Sequence, residues 1–269
     1  EALAGLAVCL VFTVAFLIVE SRVPEPILPL ALFGSRTFLT TTVCLFLSGL
    51  AMFGAISFLP LFVQAVLGAT AVQAGSVLTP ISLSWVSGST IGGRLLNRFG
   101  YRTLAVAGMV CLTGGYWLFT RLQAGSSLRY AGASGVVLGL GMGLITVTTI
   151  VAVQSAAPPD QIGVVSTLPF FFRNIGATIG VAIMGTILNA HVVGAGGASS
   201  ALAGGEGAFQ AIPALVRGQL AEGIRAAFIF GLVAVVLGLP LSLMVPDLSP
   251  IRPGAQAEPQ AAPSTAPMD

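Results

Sequence analysis

The stretch GGRLLNRFGYR at residues 92–102 puts Arg94, Arg98 and Arg102 within one short turn between two long apolar runs. The whole chain has only eleven basic residues, so the clustering is a topological mark rather than background. In a polytopic membrane protein, arginines gathered in a short connection hold that connection on the cytoplasmic side.

The runs on either side explain why a membrane is the right frame. Hydrophobic residues make up 55% of the 269-residue chain and charged residues 7%, against about 25% charged in an ordinary soluble protein. The mean hydropathy is +0.98. So few charges cannot clothe a water-facing surface. Apolar runs near 20 residues match a hydrocarbon core of roughly 30 Å. Seven spans are expected, at 2–19, 38–62, 71–93, 103–120, 130–152, 165–188 and 223–245. They are apolar all round and about twice the length of a barrel strand, so all are expected to be helices.

The connections differ in character. Residues 20–37 carry Pro24, Pro26 and Pro29 with Arg22 and Arg36, an interfacial linker. Residues 63–70 are uncharged, and 153–164 hold Pro158, Pro159 and Asp160 in a turn. Residues 189–222 are rich in Gly and Ala, with a short amphipathic helix expected near 208–221. Residues 246–269 are rich in Pro and Ala and are expected to be a disordered cytoplasmic tail. The chain opens on Glu1 and enters an apolar run without a basic leader, which reads as an incomplete chain rather than a signal peptide.

Composition also excludes several functions. A net charge of +2 gives no footprint for nucleic acid. No lysine is present, which rules out a retinal Schiff base. Cys9, Cys44 and Cys111 fall in three different runs and form no metal or disulfide pattern. The one histidine, His191, has no nucleophile or acid arranged around it, and every carboxylate falls at a span end, in a loop or in the tail. The chain therefore does not read as an enzyme, and no cofactor is expected. Small residues recur every four positions at Gly135, Gly139 and Gly143, at Gly88 and Gly92, and at Gly176 and Gly180. Such faces let helix backbones approach within van der Waals contact. Arg173 is the one charge well inside an apolar run, since Arg225 falls at the edge of the last span. At a helix centre it costs roughly 2.5–3.5 kcal/mol on insertion scales, so it either snorkels to the cytoplasmic interface or faces a hydrated interior.

The turn 93–102 resembles the cytoplasmic signature of the major facilitator superfamily, G-x-x-x-D-R-x-G-x-R, through Gly93, Arg98, Gly100 and Arg102. Asn97 stands where that pattern prefers Asp, and an amide cannot form an ion pair. FLPLFVQAVLGATAVQAGSVLTP (58–80), GLGMG (139–143), the Gln154–Pro158–Gly163 spacing and FFFRNIGATIGVAIMGTIL (170–188) resemble the second half of EmrB/QacA-type drug:proton antiporters, which have fourteen spans. The resemblance implies an all-α membrane protein: one linker helix (1–37), a six-helix C-terminal bundle (38–245) and the tail (246–269). It implies export of drug-like amphipathic compounds by proton-coupled alternating access. The partners would be a small-molecule substrate, protons, the lipid bilayer of a bacterial inner membrane and an N-terminal half absent from these residues. A major facilitator exporting a specific metabolite, or a truncated fragment that does not transport, is the alternative.

The resemblance also assigns faces, because the first, second, fourth and fifth helices of such a bundle line the pathway. Residues 38–62 and the turn after them then present Gly49, Phe53, Ser57, Pro60 and Gln64. The next three pathway spans present Ser82, Trp85 and Gly92, then Thr146 and Thr149, then Arg173, Asn174 and Thr178.

Alternating spans put Arg22, Arg36, Arg94, Arg98, Arg102 and Arg252 on one side and Arg121, Arg129, Arg217 and Arg225 on the other. This predicts residue 1 outside and residue 269 inside. In a cysteine-free background, an impermeant thiol reagent on intact cells is expected to label a cysteine placed at Ser126 and to spare one at Ser264. Labelling of position 264 with 126 protected reverses the orientation.

Overall fold

The computed structural model of the chain describes residues 34–156, 162–193 and 214–245, with Val11, Phe12, Ala15 and Ile18 of the first run. The helices are α1 (Arg36–Ala65), α2 (Ala71–Ser76), α3 (Leu78–Thr120), α4 (Leu128–Ala156), α5 (Ile162–Val193) and α6 (Ala214–Leu243). No strand occurs among the described residues. Five stretches are long and apolar enough to cross a membrane, the longest running from Ala71 to Thr120. The first expected span apart from those four positions, residues 20–33 of the linker after it, and the tail lie outside the described residues, while α1 takes in Arg36 and Thr37 from the linker's end.

The longest stretch is two rods. Gly100 has φ 77° and ψ 169°, a conformation that only glycine adopts readily, and it sits inside α3. The arm before it and the arm after it each have about 20 residues and measure roughly 30 Å. Their directions follow from what they touch. Along the first arm, Gly88 meets Leu140 of α4 and Gly92 meets Val147, so that arm runs parallel to α4. Along the second, Gly108 meets Ile145 while Gly115 meets Leu138, so this arm runs antiparallel to α4. The chain therefore reverses at Gly100, where a longer turn of 94–102 is expected from the sequence. Helix continues to Phe99 and resumes at Tyr101 because one glycine is enough to turn the backbone.

Other boundaries differ from the sequence reading for local reasons. The span expected at 71–93 is broken near its start: α2 is a separate turn, and α3 begins at Leu78. Thr70 caps α2 through a reciprocal box, with its hydroxyl accepting from the Gln73 amide (3.3 Å) and the Gln73 side chain accepting from the Thr70 amide (3.0 Å). α6 begins at Ala214, so 214–221 of the expected amphipathic helix is continuous with the last span. Nothing in 214–222 breaks the helix, and Gln219, Glu222 and Arg225 simply extend it out of the apolar zone. Residues 208–213 lie outside the described residues. α4 likewise runs on to Ala156, past the start of the turn expected at 153–164.

Backbone proximity at small residues sets the packing. A Cβ on Gly139 or Gly143 would strike backbone atoms of Ile81, Trp85 and Ser89. A Cβ on Gly176 or Gly180 would strike the carbonyls of Phe46 and Leu50. These contacts run in register, 46 with 176 and 50 with 180, so α1 and α5 are parallel. α6 is antiparallel to both, since Gly223 meets Leu188 and Gly238 meets Leu47. Two parallel pairs result, α1 with α5 and the first arm of α3 with α4. Exchanging the first three rods with the last three maps one pair onto the other, which is the symmetry of an inverted repeat. Behind these pairs the core closes on Tyr116, Phe119 and Phe228, with ring centroids 5.2–6.4 Å apart. The Tyr116 hydroxyl donates to the Ala51 carbonyl, which ties the second arm of α3 to α1.

Replacing Gly100 by alanine is expected to destabilise the protein by about 1–3 kcal/mol. Gly93→Ala, whose new methyl meets only Val147 at 3.8 Å, is expected to stay within about 0.5 kcal/mol of wild type. Unfolding in detergent micelles measures both.

Candidate functional site

Arg173 lies on α5, roughly 17 Å along the helix from its first residue. Its position depends on α1, because Gly49 has no side chain. A Cβ there would lie 2.7 Å from Arg173 Cγ and would also strike its carbonyl oxygen. The arginine stem thus lies flat across Gly49, roughly 20 Å along α1 from Arg36. The guanidinium carbon is 5.0 Å from the centroid of Phe170, 5.7 Å from Trp85 and 5.8 Å from Phe53. Phe53 lies one turn beyond Gly49 on α1 and Phe170 one turn before Arg173 on α5, so the guanidinium is held between rings from both helices. Three elements supply the rings: α1, the first arm of α3, and α5 itself.

The charge is held by weak partners. Each desolvated cation–π contact is worth up to about 2 kcal/mol, so together the rings offset a burial cost of roughly 2.5–3.5 kcal/mol. Nη2 of Arg173 donates to Asn174 Oδ1 at a long 3.4 Å. Nε is buried and has no hydrogen-bond partner among the described residues. Glu222 is the only carboxylate among the described residues. It lies beside Gly223, which packs on Leu188 and His191 at the far end of α5. His191 is exposed there, its ring nitrogen 2.8 Å from the Ile187 carbonyl. That end is about 27 Å from Arg173 along the helix, so Glu222 does not compensate the half-buried charge.

Next to the arginine opens a groove of about 540 Å³ lined by Phe53, Asn174, Ala177, Thr178, Val181 and Ala182. Its walls are mostly apolar, with one amide and one hydroxyl. Thr178 spends its hydroxyl proton on the Asn174 carbonyl at 3.1 Å.

The structure brings together Phe53, Trp85, Arg173 and Asn174, with Gly49 beneath and Thr178 beside them. The other residues named from sequence lie elsewhere. Gln64 is half-buried near the opposite end of α1, more than two turns beyond Phe53. Thr146 and Thr149 are buried within the bundle, and the Thr146 hydroxyl has no partner among the described residues. Gly92 is packed against Val147 and Leu144. Ser82 is exposed and bonds to the Leu78 carbonyl at 3.1 Å. Sequence reasoning named Phe170 only as a neighbour of Arg173. Its spacing of three places the two on one helical face, which was the available signal. In the 92–102 segment, Arg94, Asn97, Arg98 and Arg102 are exposed, Gly93 is half-buried and Gly100 is buried.

An apolar helical bundle with a groove on its open side is the architecture of a polytopic membrane protein. The chain belongs to the Major Facilitator Superfamily, whose family profile matches residues 2–181. It is a multi-pass membrane protein of a transporter family and not an enzyme. It is 37% identical over 185 residues to the multidrug transporter protein MdtP of Bacillus subtilis, covering 69% of this chain and 34% of that protein. It is 28% identical over 187 residues to the tetracenomycin C resistance and export protein of Streptomyces glaucescens, covering 70% and 35%. The chain thus spans about a third of the length of these curated relatives. The fold is similar to a bacterial homologue of the human lysosomal transporter Spinster, solved in an inward-facing and occupied conformation. The TM-score is 0.63 at 20% identity, over 79% of this chain and 50% of that one.

Arg173→Lys keeps the charge but loses the planar five-donor fork. In the full-length transporter, Lys is expected to reduce efflux and Ala to abolish it, with normal amounts of both variants in the membrane. Full efflux by the lysine variant means that the charge only snorkels, because a flexible lysine stem reaches an interface equally well.

Proposed function

We propose that this chain is the C-terminal part of a multidrug efflux transporter of the fourteen-span EmrB/QacA type. In this reading residues 1–37 supply the second of two central linker helices, residues 38–245 the C-terminal six-helix bundle, and residues 246–269 a cytoplasmic tail. The observation that carries it is the groove beside Arg173: wide, open, largely apolar, with Phe53 and small aliphatic side chains that bind by area rather than through a fixed polar code. The similarity to MdtP supports the same reading. Substrate would bind near the bilayer midplane between this bundle and an N-terminal one, and the two would rock about it. Protons would drive export through acidic residues of the N-terminal bundle, since the one described carboxylate, Glu222, is exposed near the start of α6, far from the groove. The membrane would be a bacterial inner membrane, with the 92–102 segment facing the cytoplasm.

A second reading, export of one specific metabolite, is favoured by the similarity to the tetracenomycin C exporter. Cells expressing the full-length protein are expected to expel several unrelated drug-like dyes, and a protonophore is expected to stop them. Export of a single compound among many favours the second reading. Residues 1–269 alone in liposomes are expected to transport nothing, because the groove would have no opposite wall. Proton-dependent dye efflux by that chain would refute the division into two halves.

A further inference from the structure

We infer that the groove beside Arg173 selects planar aromatic compounds bearing an anionic or strongly hydrogen-bond-accepting group, and disfavours lipophilic cations. The inference rests on the efflux reading above for its physiological meaning, but its physical basis is independent.

Arginine offers five N–H donors. Here one of them makes a single long bond to Asn174, and the buried Nε–H has no acceptor among the described residues. A carboxylate, sulfonate, phenolate or quinone-type carbonyl entering the groove at Asn174 would meet the neighbouring Nη donors, already oriented by the rings around them, while the Nε–H stays buried out of reach. A charge-assisted bond of this kind is roughly twice as strong as a neutral one. The aromatic part of the same compound finds Phe53 at the shared wall, a face that suits flat rings.

A cation meets the opposite situation. The same ring faces that would attract it already hold the guanidinium at 5.0–5.8 Å. No carboxylate among the described residues lies near enough to neutralise either charge, because Glu222 stands at the far end of α5. Two like charges in a groove of low dielectric repel more strongly than they would in water. The Asn174 amide and Thr178 hydroxyl are too few to solvate a second cation.

The test uses the full-length transporter, purified in detergent, and two probes that share one ring system: pyrenebutyrate as the anion and pyrenylmethyl-trimethylammonium as the cation. Saturable binding is measured by equilibrium dialysis. The anion is expected to bind at least tenfold more tightly than the cation. Arg173→Gln is expected to bring the two affinities within about threefold, mainly by weakening the anion, and Arg173→Lys to fall between. Phe53→Leu is expected to weaken both probes alike, which separates the ring contribution from the charge. Equal or tighter binding of the cation by the wild-type protein overturns the inference, whether or not any variant folds. So does an anion preference that survives in a folded Arg173→Gln, or the absence of saturable binding by either probe. Proteoliposome efflux separates the two claims. An Arg173-dependent anion preference without efflux removes the transport reading and leaves the site. Efflux without that preference removes the site and leaves the transport reading.

Discussion

The architecture depends on how closely helix backbones approach one another. In lipid, apolar side chains gain little by leaving the solvent, so association must come from van der Waals contact and from interhelical bonds. Gly139 and Gly143 bring α4 onto the backbone of the first arm of α3, and Gly176 and Gly180 bring α5 onto the carbonyls of Phe46 and Leu50. Everything else is arranged around these two seams. The aromatic cluster of Tyr116, Phe119 and Phe228 fills the space behind them. Gly49, on the same seam as Gly176 and Gly180, is what lets a long charged side chain lie across α1 at mid-depth.

That makes the position of Arg173 a consequence of packing as much as of chemistry. A methyl group at residue 49 would push the arginine backbone away and take its guanidinium out of reach of Trp85 and Phe53. The charge is tolerated because rings from three elements converge on it, and each alone would be too weak. Positive charge, an apolar wall and an open side come from one geometric arrangement.

Much of this was legible in the sequence, because lipid imposes strong rules. Helix was dictated by the need to satisfy every backbone group internally, and the three small-residue faces identified themselves by their spacing of four. The reversal was marked by Gly100, but its economy was not. Nothing in local pattern says that a single residue suffices where nine were expected. The grouping of Phe53, Trp85, Arg173 and Asn174 required knowing which helices are neighbours, and that information entered through family resemblance rather than periodicity. Thr146 is a position whose orientation pattern alone leaves open. It shares a helical face with plausible pathway positions, yet the rotation of α4, fixed by Gly139 and Gly143 against α3, turns it inward. Hydrophobicity cannot report that rotation, because α4 is apolar on every side.

The pairing of α1 with α5 also bears on how the protein is made. The first arm of α3 meets α4 soon after both have emerged, with only the second arm between them. α1 also gains an early neighbour in the second arm of α3, through Tyr116 and Ala51, but its glycine seam stays unfilled. Gly49 waits for Arg173, more than a hundred residues later in the chain, which at 5–20 residues per second is on the order of ten seconds of synthesis. During that interval α1 must be held in the bilayer by its own apolarity or by a helper, with the face of Phe46, Gly49 and Leu50 uncovered. Arg173, for its part, enters a membrane in which its ring partners on α1 and α3 are already in place. The arginine is the later arrival, and the seat made for it is complete before it is translated.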